Sequence, residues 1–475
     1  MSSFSGLSTA LSALQATRKA MDVTGNNIAN VATPGYTRQR VDLQAATTAV
    51  GLMTTGQQGG NGVVLTGVSR LASSFWDAQV RSQTSLHADL ASRADVLNNL
   101  QDLTGEPSDT ALSGKLSAMW SAFANLAANP TKDSAKSVVI SAAQDVAQTL
   151  KNSSAGVVSM WNDQRTQATS LANEVNATTQ AVATYNKQIK ATVAAGNSAN
   201  ELMDQRDQLV TRLSELTGAT TVQAANGVVD VYLGSNALVQ DGSFNTVQVS
   251  APTTTNTLPP TASPTLQFAD GTPASVRGGQ LAGVLDALRV GGTLDTASAK
   301  YDAVAAAVST SVNAAYAAAF NPSATPADPV QPFFTGSTAS GVTGLTVAVS
   351  LAGAPTTPGT TALRTGNSTL GSADASVALA MSKLGKATGS PDNVWATYVS
   401  QLGADAAGAT SRTTATAATL SNTVASQQSE TGVSLDEETA NLLTLQRAYQ
   451  AAARVLTSVD EALDTLINKT GLVGR

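Results

Sequence analysis

Apolar residues recur at helical spacing through most of the chain. Leu7, Leu11, Leu14, Met21 and Ile28 fall three, four or seven apart, and this predicts an amphipathic helix that Pro34 stops. From Phe75 to Leu103, Leu86, Leu90, Leu97 and Leu100 keep one face apolar. Ala111–Ala128 carries Leu112, Leu116, Met119, Trp120, Phe123 and Leu126 at core spacing, and Asn129-Pro130 ends it. Lys136–Gly196 is a long tract almost free of glycine and proline, followed by Asn197–Gly218 with Leu202, Leu209, Leu213 and Leu216 on one side. Tandem helices with short breaks predict an antiparallel bundle.

The period changes after Gly218. Thr220–Gln223 and Val228–Leu233 alternate, with Asn226-Gly227 between them, the pattern of a β-hairpin. Asp241-Gly242 and Asp270-Gly271 mark two further turns, and the Thr/Pro-rich stretch Ala251–Pro264 reads as an exposed loop. Helix resumes over Gly279–Phe320, interrupted at Gly291-Gly292. Asn321–Gly371 is rich in Pro, Gly and Thr, and reads as a small β insertion with one strand at Leu345–Leu351. Val41–Thr66 reads as a glycine-rich connection with a short strand at Val63–Leu65. Helices return from Ala373 to Gln428, anchored by Trp395, Tyr398 and Leu402.

The last helical stretch is the most regular. Ser434 to Glu437 fits a capping box, and Asp436, Glu437 and Glu438 suit the positive end of a helix. Leu442, Leu445, Tyr449, Ala452, Leu456, Val459, Leu463 and Leu466 alternate spacings of three and four, a heptad seam. A helix from Asp436 to Lys469, with Gly471 as its end cap, is roughly 50 Å long. The fold expected is mainly α with β insertions: terminal helices forming a coiled coil, an elongated antiparallel helical bundle, and small outward β-rich regions. The expected domains are residues 1–45 with 431–475, the terminal coiled coil; 46–218 with 279–320 and 372–430, the bundle; 219–278, a β-hairpin segment; and 321–371, a small β-rich insertion.

Composition narrows the chemistry. Charged residues are 13% of the chain, and Lys+Arg 27 against Asp+Glu 33 gives a net charge of −6 with no block of one sign. That argues against nucleic acid, which calls for a basic face. The surface is then largely Ser, Thr, Asn, Gln and Ala, which suits packing against copies of the same chain, although compositional drift gives the same pattern. With no cysteine and one histidine, His87, the chain lacks thiol chemistry, a His-rich metal site and a serine triad. His87 reads as a helix-surface residue. Asp204, Arg206 and Asp207 read as a charged helix face rather than a catalytic cluster. No run of about 18 apolar residues is present, so no membrane span is expected.

The stretch Asn26-Asn27-Ile28-Ala29-Asn30-Val31-Ala32-Thr33-Pro34-Gly35-Tyr36 resembles the N-terminal motif of the flagellar axial proteins, the rod, hook and hook-associated subunits. Thr37-Arg38-Gln39, Trp120–Phe123 with Ala128–Pro130, Asn200–Leu209, Ser434–Glu438 and Leu445–Gln450 are most similar to the hook-associated branch. The resemblance implies a structural subunit at the junction of hook and filament, exported by the flagellar type III route without a cleaved signal and so extracellular. It implies a ring of copies with hook protein below, the next hook-associated protein above, and an export chaperone; no cofactor, metal or membrane insertion is implied. The residues it points to are an assembly motif, Asn26, Asn27, Ile28, Asn30, Pro34, Gly35 and Tyr36. The seam would be Leu7, Leu11, Leu14 and Met21 with Leu442, Leu445, Tyr449, Leu456, Val459, Leu463 and Leu466. A hook or distal-rod protein is the alternative within the family. From another class, the alternative is a secreted adhesin or enzyme using the β insertions.

Overall fold

The computed structural model describes residues 3–46, 62–323, 328–350, 361–367, 369–371 and 373–465. In chain order its elements are α1 (Ser3–Ala29), β1 (Gln39–Ala45), β2 (Val63–Arg70), α2 (Ser74–Thr104), α3 (Leu112–Ala128), α4 (Asp133–Ala194) and α5 (Asn200–Thr217). Then come β3 (Thr220–Gln223), β4 (Val229–Leu233), β5 (Asn236–Gln240), β6 (Ser243–Phe244), β7 (Val247–Val249), β8 (Leu266–Phe268), α6 (Gly279–Leu288) and α7 (Thr293–Tyr316). The chain continues through β9 (Phe334–Thr335), α8 (Ser337–Gly344), β10 (Thr346–Val347), β11 (Val349–Ser350), β12 (Thr361–Ala362), α9 (Ser376–Ser382), α10 (Pro391–Thr431) and α11 (Leu435–Asp464). It is mainly α with small β regions, as expected from the periodicity.

The chain divides into two compact units, residues 1–86 with 175–246 and 417–475, and residues 87–174 with 247–416. In the first, α1 and α11 pack together, with β1 and β2 against α1. β1 is absent from the expected elements. It pairs antiparallel with β2, Gln39 opposite Arg70 and Val41 opposite Val68, so the connection after Tyr36 begins as a strand. β3–β6 form an antiparallel sheet in sequence order. Its first turn places Asn226 at φ 57° and Gly227 at φ 75°, the left-handed pair that a two-residue hairpin requires. Val229, Val231 and Leu233 face inward from β4 and alternate with half-buried Asp230 and Tyr232. Buried Asn186 of α4 pins this sheet: its Nδ2 donates to Val229 O and to Asp241 O, both at 2.8 Å.

The second unit is built on an aromatic core. Phe123 and Phe333 lie 5.6 Å apart between ring centres, Tyr316 and Phe333 5.6 Å, and Tyr301 and Trp395 5.3 Å. Trp120 and Trp395 turn their indole N–H groups onto carboxylates, Asp392 at 2.8 Å and Glu106 at 2.7 Å, so each buries its ring without stranding a donor. α6 and α7 are broken where Gly291-Gly292 announces it, Gly291 at φ +72°. The strand expected at Leu345–Leu351 is instead two two-residue strands, β10 against β9 and β11 against β12; Leu351 lies outside the described residues. The short helix α8 precedes them.

The Thr/Pro loop is held from below. Arg165 of α4 is buried, and its guanidinium donates to the carbonyls of Pro252 (3.0 Å), Val249 (3.1 Å) and Ser250 (3.0 Å), and to Thr169 Oγ1. Asn162 trades two 2.9 Å hydrogen bonds with the backbone of Thr255. Burial lowers the Arg165 pKa, and carbonyl oxygens rather than a carboxylate satisfy it. Arg165→Met strands three carbonyls, so we expect a loss on the order of 2 kcal/mol. Amide exchange should quicken across 249–257 while α3 and α7 keep their protection.

Candidate assembly interface

The site begins at the end of α1. Asn26 and Asn27 are neighbours in sequence but point about 100° apart on the helix. Asn26 is exposed, and its Oδ1 accepts from Asn30 Nδ2 at 2.9 Å. Asn30 Oδ1 in turn accepts from Thr33 Oγ1 at 3.1 Å, so these two asparagines wind up the helix end. Asn27 is 1% exposed and uses its whole hydrogen-bonding capacity. Its Nδ2 donates to Gln39 O (2.9 Å) and Glu438 Oε2 (3.1 Å). Its Oδ1 accepts from Tyr36 OH (2.9 Å) and Gln39 N (3.0 Å). One amide thus joins α1, the turn after it, and the first turn of α11.

Around this hub the turn is fixed from three sides. Arg38 lies 2.7 Å from Glu438 Oε1 and 2.8 Å from Glu437 Oε2, and its backbone N–H donates to Thr431 O at 3.1 Å. Gln208 donates to Pro34 O at 2.9 Å. Gly35 sits at φ +75° against the Gln208 side chain, where a Cβ would collide, so only glycine fits. The Thr37 N–H donates to Asp204 Oδ2 at 3.2 Å, and Gln39 Nε2 to Glu201 Oε1 at 3.1 Å. Tyr36, half-buried, has its phenol pKa pushed up to about 12, by burial first and then by the carboxylates of Glu201, Asp204 and Glu438.

The charged face of Asp204, Arg206 and Asp207 is turned largely inward. Asp204 is 6% exposed and Arg206 1%. Arg70 bridges Asp204 at 2.6 Å and Asp207 at 3.0 Å, while Arg206 holds Asp207 at 2.7 Å and donates to Gly227 O. Burial raises the Asp204 pKa, and its hydrogen bond to Arg70 works against that rise. Arg70, from β2, was invisible as a partner because 134 residues separate it from Asp204. Beside this network and the 31–37 turn lies a cleft of about 720 Å³, lined by Tyr36, Thr37, Asp77, Arg81, Asp207 and Gln427.

The apolar positions divide between two faces of α1. The covered face is small: Ala10, Ala16, Val23, Thr24 and Asn27 are buried, and a Cβ on Gly6 would stand 3.7 Å from Val459 of α11. Leu7, Leu14, Met21 and Ile28 are only half-buried, and Leu11 is 49% exposed. On α11, Leu442, Leu445, Leu456, Val459 and Leu463 are half-buried and Tyr449 is more open; Leu466, Lys469 and Gly471 lie outside the described residues. Ser434 caps α11 with Oγ accepting from Glu437 N at 3.5 Å. Of the three acids there, Glu438 alone turns inward, to 1% exposed.

A sequence model described as the flagellar hook-associated protein FlgK helical domain matches residues 97–334, half of the chain. The chain belongs to the FlgK family. Two further models flank that match, flagella basal body rod protein over 7–37 and flagellar basal body rod FlgEFG protein C-terminal over 427–469. They cover both sides of the Asn27–Glu438 junction. Flagellar hook-associated protein 1 of Bacillus subtilis is 28% identical over 526 aligned positions, spanning 100% of both chains. Its namesake in Salmonella typhimurium is 28% identical over 236, which is 49% of this chain and 42% of that one. FlgK from Burkholderia pseudomallei, a solved hook junction protein, superposes with a TM-score of 0.45 at 24% identity, over 54% of this chain and 46% of that one. The chain is therefore a flagellar component of a structural family, and no helix among the described residues is long and apolar enough to cross a membrane.

Two outcomes follow for the hub. Asn27→Leu removes the partner of the Tyr36 hydroxyl and of the Gln39 backbone N–H and C=O and leaves Glu438 to Arg38 alone, and we expect a loss of about 2–5 kcal/mol in the first unit. Asn26→Ala, at the exposed neighbour, should stay within about 0.5 kcal/mol; denaturant melts of the two variants make the comparison. The Tyr36 phenol has a folded pKa above its unfolded value near 10. Its contribution is complete below pH 10 and is lost as pH rises toward 12. Tyr36→Phe should flatten that part of the alkaline stability curve.

Proposed function

We propose that this FlgK-family chain is a structural subunit of the hook–filament junction, assembling as a ring through its terminal helices. The observation that carries the reading is the unequal use of α1. Its small face is covered, while Leu7, Leu11, Leu14 and Met21 stay on a half-open stripe. An apolar stripe at helical spacing gains most when a neighbouring helix covers it. Neighbouring copies in the ring would do so, with hook protein on one side and the next hook-associated protein on the other. Export through the type III channel with a dedicated chaperone, and an extracellular position, belong to the same reading.

The work is mechanical rather than enzymatic. In the first unit the buried polar groups of the hub are occupied by one another; in the second, His87 is engaged with Thr416 Oγ1 at 3.3 Å. No group of three metal-ligating side chains occurs among the described residues. The motif Asn26, Asn27, Ile28, Asn30, Pro34, Gly35 and Tyr36 would set the bend after α1. The α11 positions Leu442, Leu445, Tyr449, Leu456, Val459 and Leu463 would form the shared seam.

Leu456→Asp tests this reading. Leu456 is half-buried in the lone chain, and Thr457 beside it is exposed. A charge at Leu456 costs about 2–5 kcal/mol in each copy once neighbours close the seam. We expect Leu456→Asp to be exported but to hold no filament, so that flagellin appears in the medium and cells do not swim. Thr457→Asp should be mild. Full filaments on Leu456→Asp cells would refute assembly through this helix.

A further inference from the structure

Each terminal helix carries an exposed pair of opposite charges on its outward side. On α1 these are Arg18 and Asp22, one turn apart; Arg18 sits within the open stripe, three residues before Met21 and four after Leu14. On α11 they are Arg454 and Glu461, two turns apart on one face, away from the Leu456–Val459–Leu463 seam. All four are exposed, and none makes an ion pair or side-chain hydrogen bond among the described residues.

The helices run antiparallel, since Gly6 stands by Val459 and Asn27 by Glu438. Moving away from the Asn27 hub, α1 therefore presents Asp22 and then Arg18, minus before plus. In the same direction α11 presents Arg454 and then Glu461, plus before minus. The two open faces are complementary in order. Copies related by a rotation with a rise along the helix axis point the same way, and each uses two different faces on its two neighbours.

We propose that the α11 face of one copy docks on the α1 face of a second copy of this chain. Arg454 then pairs with Asp22 of the neighbour, and Glu461 with its Arg18. The inference rests on the ring reading above and adds the register. Asp22 stands level with Leu443, eleven residues below Arg454, so the contact is stepped by roughly 15–20 Å along the helix axis and the ring is a turn of a helix rather than flat. An unstepped contact would bring Arg447, also exposed and unpaired among the described residues, level with Arg18 of the neighbour. Such like-charge juxtaposition selects against the wrong register. Exposed pairs of this kind contribute little strength and act through specificity.

The chain has no cysteine, so an introduced pair reports without background. Asp22→Cys with Arg454→Cys, in the full chain, should form covalent dimers and longer ladders on oxidation of assembled flagella. Within one chain the two positions are too far apart to bridge. Asp22→Cys with Arg447→Cys should give none. Separately, Arg454→Asp should lower filament retention several-fold, and adding Asp22→Arg should restore it. Assembled flagella with no ladder from the first pair would overturn the pairing, even where Leu456→Asp has shown that α11 carries assembly. A ladder from the Arg447→Cys pair instead, or charge reversals that behave as the parent chain, would overturn it too. If Leu456→Asp cells grow full filaments, the ring reading fails first and this register falls with it.

Discussion

The arrangement of the terminal unit depends on one buried amide. Asn27 has two donors and two acceptor positions, and all four are taken by three residues from two other stretches of chain, Tyr36 and Gln39 in the turn and Glu438 on α11. In a buried setting a polar group left unpaired costs more than a made hydrogen bond returns, so the four bonds stand or fall together. Holding both the N–H and the C=O of Gln39 folds the chain back and starts β1 at that residue. β1 then sets β2, and β2 ends on Arg70, which reaches the Asp204 and Asp207 carboxylates of α5. The bond to Glu438 fixes where α11 crosses α1. The antiparallel register of the terminal helices, across a sequence separation of 411 residues, is thus referred to Asn27 together with Arg38, which pairs with Glu437 and Glu438.

Once that register is set, the two faces of α1 have different fates. Glycine and alanine on the covered face let α11 approach closely, as at Gly6 and Val459. A helix turns 100° per residue, so residues at Leu7, Leu11, Leu14 and Met21 cannot share that face. Their larger side chains are then only half covered by the chain's own elements. The usual logic of an amphipathic helix, large apolar residues inward, is displaced here: small residues make the fold, and large ones are left for assembly on the proposed reading. The stripe was plain from the spacing, but its direction was not, because period alone does not say which of two apolar faces meets the intrachain partner.

The same distinction runs through the rest of the molecule. α3, α5, α7 and α11 were legible because a repeated 3.6 period with capping or glycine punctuation leaves few alternatives. The hairpin at Asn226-Gly227 was legible because few pairs tolerate two left-handed residues. β1 was not, since its burial follows no inward–outward alternation and its partner begins 18 residues after it ends. The burial of the Asp204–Arg206–Asp207 group was not legible for a related reason. Charge at i and i+3 looks solvated until a third party such as Arg70 arrives from a distant strand. In the motif, neither Asn26 nor Asn30 could be told from Asn27 by type; only the helical angle separates a residue that winds up the helix end from the one that ties the termini together.

Sparse charge gives the remaining charges their weight. Only 13% of residues are charged, and several of those are consumed inside: Arg165 on carbonyls, Arg70 and Arg206 on carboxylates. Desolvating these groups costs energy, and each is kept where it ties distant segments together, which an apolar replacement could not direct as specifically. On the outside the result is the reverse. α1 carries three charged residues along its length, Arg18, Lys19 and Asp22. With so few on α1, a helix docking there finds few places to pair, and on the proposed register one matched couple would distinguish one axial position from another. A densely charged helix would offer many near-equivalent registers at intervals of one or two turns. On the register proposed above, the low charge of α1 would thus be what lets weak, exposed ion pairs act as a ruler between copies.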